Sequence, residues 1–152
     1  MAIKTEAIGK EWPATTYEVG KEKIGEYARV LGIENPVHFD REAARAAGYR
    51  EVVAPPMFCV VYSSPALAPA MFDPEVGMNF ATMVHGGQQF EWDEPACSGD
   101  EITTTAKCLE IFEKEGRDGK PDNGFYVFET VSVNQDGEQV VRGTWTNIVR
   151  GV

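Results

Sequence analysis

The chain has 152 residues, 43% of them apolar and 25% charged, which is the length and composition of one globular domain with a buried core. Its formal net charge of -10, from 24 acidic and 14 basic residues, argues against a nucleic-acid-binding protein, because a phosphate backbone would be repelled. No run approaches the roughly 20 apolar residues of a membrane-spanning helix and the N-terminus lacks a signal-peptide core, so we expect a cytoplasmic protein with one domain over residues 1–152 and no membrane partner.

The first predicted element is an amphipathic helix over residues 17–31. Four apolar side chains recur at the i, i+3, i+4 and i+7 spacing of one buried helical stripe. They are Ile24, Tyr27, Ala28 and Leu31. Gly32 follows directly and suits the C-cap of this helix, where the chain takes a left-handed conformation.

Two further helices are predicted before residue 72. The first is short, with Asp40 as its N-cap and Gly48 as its stop. The second begins near Pro56, whose missing N–H costs nothing in a first turn. Its apolar run over residues 57–62 is nearly continuous, which is typical of a helix buried on most sides. Pro65 is expected to end or kink it.

The pattern after Gly77 is that of extended strands, rich in β-branched and aromatic residues. Four long strands are predicted, over residues 82–92, 101–112, 124–134 and 139–150. In the third, one face carries Phe125, Val127, Glu129, Val131 and Val133. A tight turn over residues 135–137 suits an antiparallel hairpin. Helices followed by strands predict an α+β fold, in which an antiparallel sheet of five or six strands curves around the apolar helix.

Cysteine and histidine usage gives no sign of a disulfide framework, a metal site or a cofactor. The three cysteines are odd in number and none stands in a CxxC pair, so we expect them to be buried apolar residues. They are Cys59, Cys97 and Cys108. The two histidines, His38 and His85, are far apart in sequence and no carboxylates cluster near either at metal-ligand spacing.

Four stretches cover nearly the whole chain: VGKEKIGEYARVLG, GIENPVHFDREAARAAGYREVVAPPMF, VHGGQQFEWDEPACSGD and the terminal WTNIVRGV. Together they resemble the MaoC-like hydratases and dehydratases of the hot-dog fold. Within that family, the chain is similar to the short actinobacterial subunits of the (3R)-hydroxyacyl-ACP dehydratase type. The resemblance implies a 2-enoyl or 3-hydroxyacyl thioester substrate on coenzyme A or an acyl carrier protein, with addition or removal of water.

The family's catalytic motif, Gly-Asp-x-Asn-Pro-x-His, falls on the stretch GIENPVH with one departure. The resemblance places the catalytic histidine on His38 and the asparagine, a substrate-binding candidate, on Asn35. The aspartate falls on Ile33, which can neither take up a proton nor orient a water. Glu34 is adjacent and is the candidate replacement for this acid, although neighbouring residues in an extended loop tend to point in different directions.

A second departure lies at the start of the apolar helix. Active relatives have His-Gly where this chain has Pro55-Pro56, and the glycine N–H resembles an oxyanion donor. Proline has no N–H. Met57 and Phe58 are therefore the candidate substrate-binding residues here, through first-turn amides, although both also suit a hydrophobic core.

The predicted strand over residues 82–92 supplies the last candidates. His85 and Gln88 are candidate substrate-binding residues, and each is also compatible with an ordinary strand position. Gly86-Gly87 between them predicts a β-bulge or a close backbone approach.

Three functions remain open at this point. The chain is a hydratase or dehydratase, acting through His38 with Glu34, or it is a non-catalytic acyl-binding subunit whose partner supplies the catalysis. A hot-dog thioesterase is less favoured, because no acid lies between residues 56 and 71 to activate water. We expect a homodimer, or a heterodimer with a related hot-dog subunit, because a curved sheet leaves edge strands and an apolar flank that a second chain covers.

Overall fold

The computed structural model describes residues 3–152. The strands are β1 (Glu11–Glu18), β2 (Met83–Trp92), β3 (Glu101–Lys114), β4 (Asn123–Val133) and β5 (Gln139–Arg150), and the helices are α1 (Lys21–Val30), α2 (Arg41–Ala46) and α3 (Cys59–Met71). The strands form one sheet in the order β1-β3-β4-β5-β2, in which every neighbouring pair is antiparallel. The predicted α+β fold is therefore confirmed, with five strands in the sheet.

The hydrophobic core lies between α3 and one face of the sheet. Along β4, alternate side chains point into this core, and Tyr126 and Phe128 are fully or almost fully buried there. Their neighbours Phe125 and Val127 lie on the outer face and are only half-buried. The grouping of Phe125 with Val127, Val131 and Val133 on one face is confirmed, and that face is the outer one.

The first strand is an element that the sequence pattern did not indicate. The predicted helix over residues 17–31 was placed too early, since Tyr17 belongs to β1 and α1 begins at Lys21 with Gly20 as its N-cap. β1 is an edge strand that pairs only with β3, and its pairing is irregular between Trp12 and Thr15. Pro13 and the few buried side chains weaken the strand signal, because an edge strand tolerates proline and needs little apolar alternation.

The predicted caps of the first two helices are confirmed. Gly32 follows α1 with a φ of +68°, a conformation that glycine adopts without strain. The Asp40 carboxylate accepts a hydrogen bond from the Ala43 N–H at 2.8 Å and caps α2.

The central helix α3 is preceded by a short 3-10 turn over Pro56–Phe58, so Pro56 occupies a first turn as predicted. Pro65 does not end the helix, which continues through Pro65 and Pro69 to Met71. Both prolines are exposed, and each removes one N–H donor from the helix.

The three cysteines have the burial that the sequence predicts. All three cysteines are fully buried and none forms a disulfide, as expected: Cys59, Cys97 and Cys108. Within residues 3–152, no helix combines the length and the apolar character needed to cross a membrane.

Candidate functional site

The candidate site is a cavity of about 280 Å³ that contains His38 and Asn35 in its wall. The turn that holds these two residues forms one side, and the segment before α3 forms another with Pro55 and Pro56. Trp92, at the end of β2, lies at the cavity as well. The volume is close to the lower limit of about 300 Å³ for pockets that enclose small molecules, and most of the lining is apolar.

One hydrogen bond fixes the orientation of the His38 ring. Its Nδ1 lies 2.7 Å from the carbonyl oxygen of Val53. Because a carbonyl oxygen only accepts, Nδ1 carries the hydrogen and donates it, and Nε2 of the neutral ring remains an acceptor. The Val53 N–H in turn donates to the Val37 carbonyl at 3.2 Å, so two hydrogen bonds tie the turn to Val53. The imidazole is thus held in one tautomer and orientation.

Asn35 has a structural role beside its place in the cavity wall. Its side-chain oxygen accepts a hydrogen bond from the Val37 N–H at 3.2 Å and caps the 3-10 turn Pro36–His38. Its carbonyl accepts from the His38 N–H. Asn35 therefore positions the histidine, and its proposed contact with substrate remains a prediction.

The structure does not bring Glu34 into this cavity. Glu34 is exposed and is not part of the lining, whereas His38 and Asn35 are. Ile33, at the position of the family's aspartate, is half-buried and its N–H donates to the Ala28 carbonyl at 2.9 Å. The assignment of catalysis to His38 together with Glu34 remains a prediction.

The start of α3 offers few hydrogen-bond donors to the cavity. Pro55 and Pro56 line it without N–H groups, and the N–H of Phe58 already donates to the Pro55 carbonyl at 2.9 Å. The Phe58 side chain is fully buried in the core and its ring makes an edge-on contact with Tyr27. Met57 is 44% exposed and lies outside the lining. The substrate contacts proposed for Met57 and Phe58 stay predictions.

The two candidates on β2 lie away from the cavity. His85 is exposed, and the amide of Gln88 donates to the Thr144 carbonyl at 3.3 Å; neither residue lines the cavity that holds His38. The predicted bulge is present, because the pairing with β5 shifts between His85 and Gly87. A Cβ at Gly86 would lie 2.6 Å from the Ile148 side chain, so this is also a close approach.

Several residues of the cavity were not predicted from the sequence. Trp92 donates its indole N–H to the Pro56 carbonyl at 2.9 Å and thereby joins the end of β2 to the start of α3. Asp93 and Glu94 follow it and are also among the lining residues. The Asp93 carboxylate accepts a hydrogen bond from the Gln139 amide. The run EWDE carries these residues, but only the fold shows that the end of β2 meets the histidine turn.

Comparison with known proteins identifies the family. Residues 6–142 match the family model described as the FAS1-like dehydratase domain region. The chain belongs to this family. This dehydratase-family protein is also 37% identical over 152 residues to a UPF0336 protein of Clavibacter michiganensis, an alignment that covers 99% of this chain and 98% of the relative.

Solved structures of the same fold agree with the family match. The C-terminally truncated HadBC (3R-hydroxyacyl-ACP dehydratase) complex from Mycobacterium tuberculosis has a TM-score of 0.81 and 25% identity, covering 96% of this chain and 99% of that one. A MaoC-like dehydratase has a TM-score of 0.82 and 25% identity, covering 96% of this chain and 43% of that longer chain. The predicted resemblance to MaoC-like hot-dog proteins is confirmed, and the protein belongs to the general hydratase and dehydratase class.

Proposed function

We propose that the protein is the acyl-binding subunit of a heteromeric dehydratase that acts on (3R)-hydroxyacyl and 2-enoyl thioesters of coenzyme A or an acyl carrier protein. The observation that carries the proposal is the composition of the His38 cavity. It has an apolar lining suited to an acyl chain, while isoleucine stands at the position of the motif's aspartate and two prolines stand at the start of α3.

The chemistry explains why these departures matter. Reversible hydration needs proton transfer at the α-carbon and at the hydroxyl group, together with a donor for the charge that develops on the thioester oxygen. Ile33 removes one proton-transfer group, and Pro55 and Pro56 cannot donate an N–H. A partner subunit with an intact Gly-Asp-x-Asn-Pro-x-His motif, and with His-Gly at the start of its central helix, would supply both functions. The likeness to a chain of the HadBC complex supports an arrangement of this kind.

A second candidate function is hydration by this chain alone, with His38 as the base. Two observations favour it: the bond from Nδ1 to the Val53 carbonyl leaves Nε2 as an acceptor, and two acidic residues, Asp93 and Glu94, line the same cavity. The two candidates differ in whether His38 of this chain is needed for turnover.

The test is hydration of crotonyl-CoA and of longer 2-enoyl-CoA substrates, followed by the loss of the enoyl thioester absorbance. We expect little or no turnover by the purified chain, and a rise of about 100-fold or more when a homologue with the intact motif is co-purified with it. In that complex, His38→Ala should leave kcat within a few-fold. Turnover by the purified chain without a partner that falls by about 10²-fold or more in His38→Ala would instead establish the second candidate, because general acid-base catalysis has that magnitude.

Substrate binding is tested separately by narrowing the cavity. Ala54 lines the cavity and Ala46 is exposed on α2, so Ala54→Leu and Ala46→Leu add the same atoms in two environments. We expect Ala54→Leu to raise KM of the complex for long 2-enoyl-CoA several-fold and Ala46→Leu to leave it unchanged. Thermal melting confirms that both variants fold. Equal KM values in folded variants would contradict acyl binding in this cavity.

A further inference from the structure

A second cavity, of about 770 Å³, lies at the other end of the sheet. The end of β3, the loop that follows it, the start of β4 and the end of β5 form its walls. Four of its lining residues are cations: Lys114, Arg117, Lys120 and Arg150. Glu115 is the one carboxylate in the lining. Cations therefore outnumber carboxylates in the lining of a chain whose net charge is -10, and the other acids of the same loop, Asp118 and Asp122, lie outside the lining.

The four cations have no counterions in the part of the chain that the structure describes. Within residues 3–152, none of their side chains forms an ion pair, whereas other arginines, such as Arg41, Arg50 and Arg142, each bind a carboxylate. Cations that line one concave surface without a paired carboxylate raise the local positive potential. A cavity of this kind favours an anion with more than one negative charge.

An aromatic surface adjoins the cations. Phe125 lines the cavity, and its ring is stacked on Phe112 with 5.0 Å between the centroids and 6° between the planes. The Lys114 ammonium group lies 4.6 Å from the Phe125 centroid. Both rings lie on the outer face of the sheet and are half-buried. A planar ring of a ligand would therefore find an aromatic partner next to the charges that bind its anionic part.

Backbone hydrogen bonds shape the loop that encloses the cavity. The Asp122 carboxylate accepts from the Gly116 N–H at 3.0 Å, and the Asp122 carbonyl accepts from the Gly151 N–H at 3.0 Å. The loop is thereby closed on itself and joined to the C-terminal end of β5. A Cβ at Gly116 would overlap the Lys120 carbonyl oxygen, so this closure requires glycine.

We propose that this cavity binds a nucleoside diphosphate group, with the phosphates on the cations and the base beside Phe125. The site is separate from the His38 cavity. Val140 lines that cavity and Arg150 lines this one, and the two residues are about 33 Å apart along β5 at about 3.3 Å per residue. The proposal therefore goes beyond acyl binding. The diphosphate group comes from a free nucleotide or from coenzyme A, which carries it in its adenosine portion.

The test measures binding of ADP, pyrophosphate, adenosine and coenzyme A by calorimetry at about 150 mM ionic strength, where screening of exposed charges is already strong. We expect saturable binding of ADP at one site per chain, weaker binding of pyrophosphate, and none of adenosine. Coenzyme A binding as tightly as ADP points to the coenzyme as the source, and ADP binding alone points to a free nucleotide. No binding of ADP, or binding no tighter than that of adenosine, would overturn the proposal.

Paired charge variants locate the site. Arg117→Gln combined with Lys120→Gln should weaken ADP binding at least about tenfold, because charge-assisted hydrogen bonds to phosphate are the strong contacts. Lys21→Gln combined with Lys23→Gln removes the same charge from exposed positions on α1 and should leave binding unchanged. Equal losses in both double variants would show unspecific attraction and contradict the proposal.

The proposed contact between the base and Phe125 is tested by a separate variant. Phe125→Leu keeps an apolar side chain but removes the ring, so it should weaken ADP binding and leave pyrophosphate binding unchanged. Equal affinity of wild type and Phe125→Leu for ADP, in a variant that melts like wild type, would overturn the placement of the base.

Discussion

The carbonyl of Val53 orients the imidazole of His38. The motif's aspartate, which would form a catalytic pair with this histidine, is replaced by Ile33. Restoring the acid alone should therefore do little. We predict that Ile33→Asp raises crotonyl-CoA hydration by the isolated chain only a few-fold, because Pro56 still withholds the N–H that stabilises the oxyanion. Ile33→Asn is the matched control without an acid. A rise of about 100-fold or more specific to Ile33→Asp would mean that the second departure is harmless.

An ion pair with two hydrogen bonds lies outside the cavity lining, between Arg50 and the buried Asp100. Both guanidinium nitrogens donate to the carboxylate, at 2.9 and 3.0 Å, and the Cys97 N–H and the Gln135 amide donate to it as well. We predict that Asp100→Ala lowers the free energy of unfolding in urea by about 2 kcal/mol, because it leaves the Cys97 N–H and the Gln135 amide without their acceptor and removes the partner of the half-exposed Arg50. Glu26→Ala removes an acid from the exposed Lys23–Glu26 pair and should cost at most about 0.5 kcal/mol. Equal losses of unfolding free energy in Asp100→Ala and Glu26→Ala would contradict this prediction.

Asp100 also makes stability depend on pH. Burial by itself raises the pKa of its carboxyl group, but the hydrogen bonds from Arg50, Cys97 and Gln135 outweigh burial and lower the pKa below its ordinary value of 3.8. A carboxyl group whose pKa is lower in the folded state stabilises the fold at pH values above the unfolded pKa. We therefore predict that the stability difference between wild type and Asp100→Asn is full at neutral pH and shrinks below about pH 4. A difference that is constant from pH 7 to pH 3 in urea denaturation would contradict this.

Among the elements, α3 carries two prolines at interior positions, each of which removes a backbone hydrogen bond. We predict that Pro65→Ala raises the free energy of unfolding by about 1 to 3 kcal/mol, because alanine restores the donor and suits a helix. Pro74 is the control, since it follows Asp73 in the turn that the Val76 N–H closes on the Asp73 carbonyl. Pro74→Ala should lower stability by about 0.4 to 1 kcal/mol, because the turn loses a residue suited to its conformation. A change in unfolding free energy of the same sign in Pro65→Ala and Pro74→Ala would contradict this prediction.

The exposed side of α3 and the free edge strand β2 present apolar side chains to solvent. Phe72 is 70% exposed and stacks on Phe80, and Trp92 is 48% exposed at the end of β2. A monomer rarely leaves such a surface and an unpaired strand edge uncovered. We predict that light scattering at micromolar concentration shows the purified 16.8 kDa chain as a dimer. When a related hot-dog subunit is co-expressed, a heteromer is the expected species. Phe72→Lys should shift the purified chain towards the monomer, while Val30→Lys, at an 86% exposed position of α1, should not. A light-scattering mass of a monomer for the wild-type chain would contradict this prediction.

For the molecule as a whole, patterns local in the chain were enough to predict the α+β plan. The helical positions of Ile24 and Ala28, the Asp40 cap and the turn at Gly137 follow from neighbouring residues and were found where predicted. Leu31 of the same predicted stripe lies just past α1 and is 55% exposed. β1 was missed because an edge strand depends on its partner β3 more than on its own pattern.

Period-two alternation groups side chains by face, but it cannot say which face is inside. On β4 the alternation placed the valines and Phe125 on one face, and the structure shows that the opposite face, with Tyr126, Phe128 and Thr130, is buried in the core, because α3 packs on that side. Burial is set by the partner element and not by the strand.

Part of the candidate site was also predicted from the sequence, and part of it only the structure shows. The run GIENPVH indicated His38 and Asn35, because a motif is contiguous in sequence and its loss of an acid is visible there. Trp92, Asp93 and Val53 joined the cavity only through the fold, since they lie outside the motif, on segments that packing brings next to His38. A sequence specifies which groups a chain carries, and only long-range packing decides which of them share a cavity.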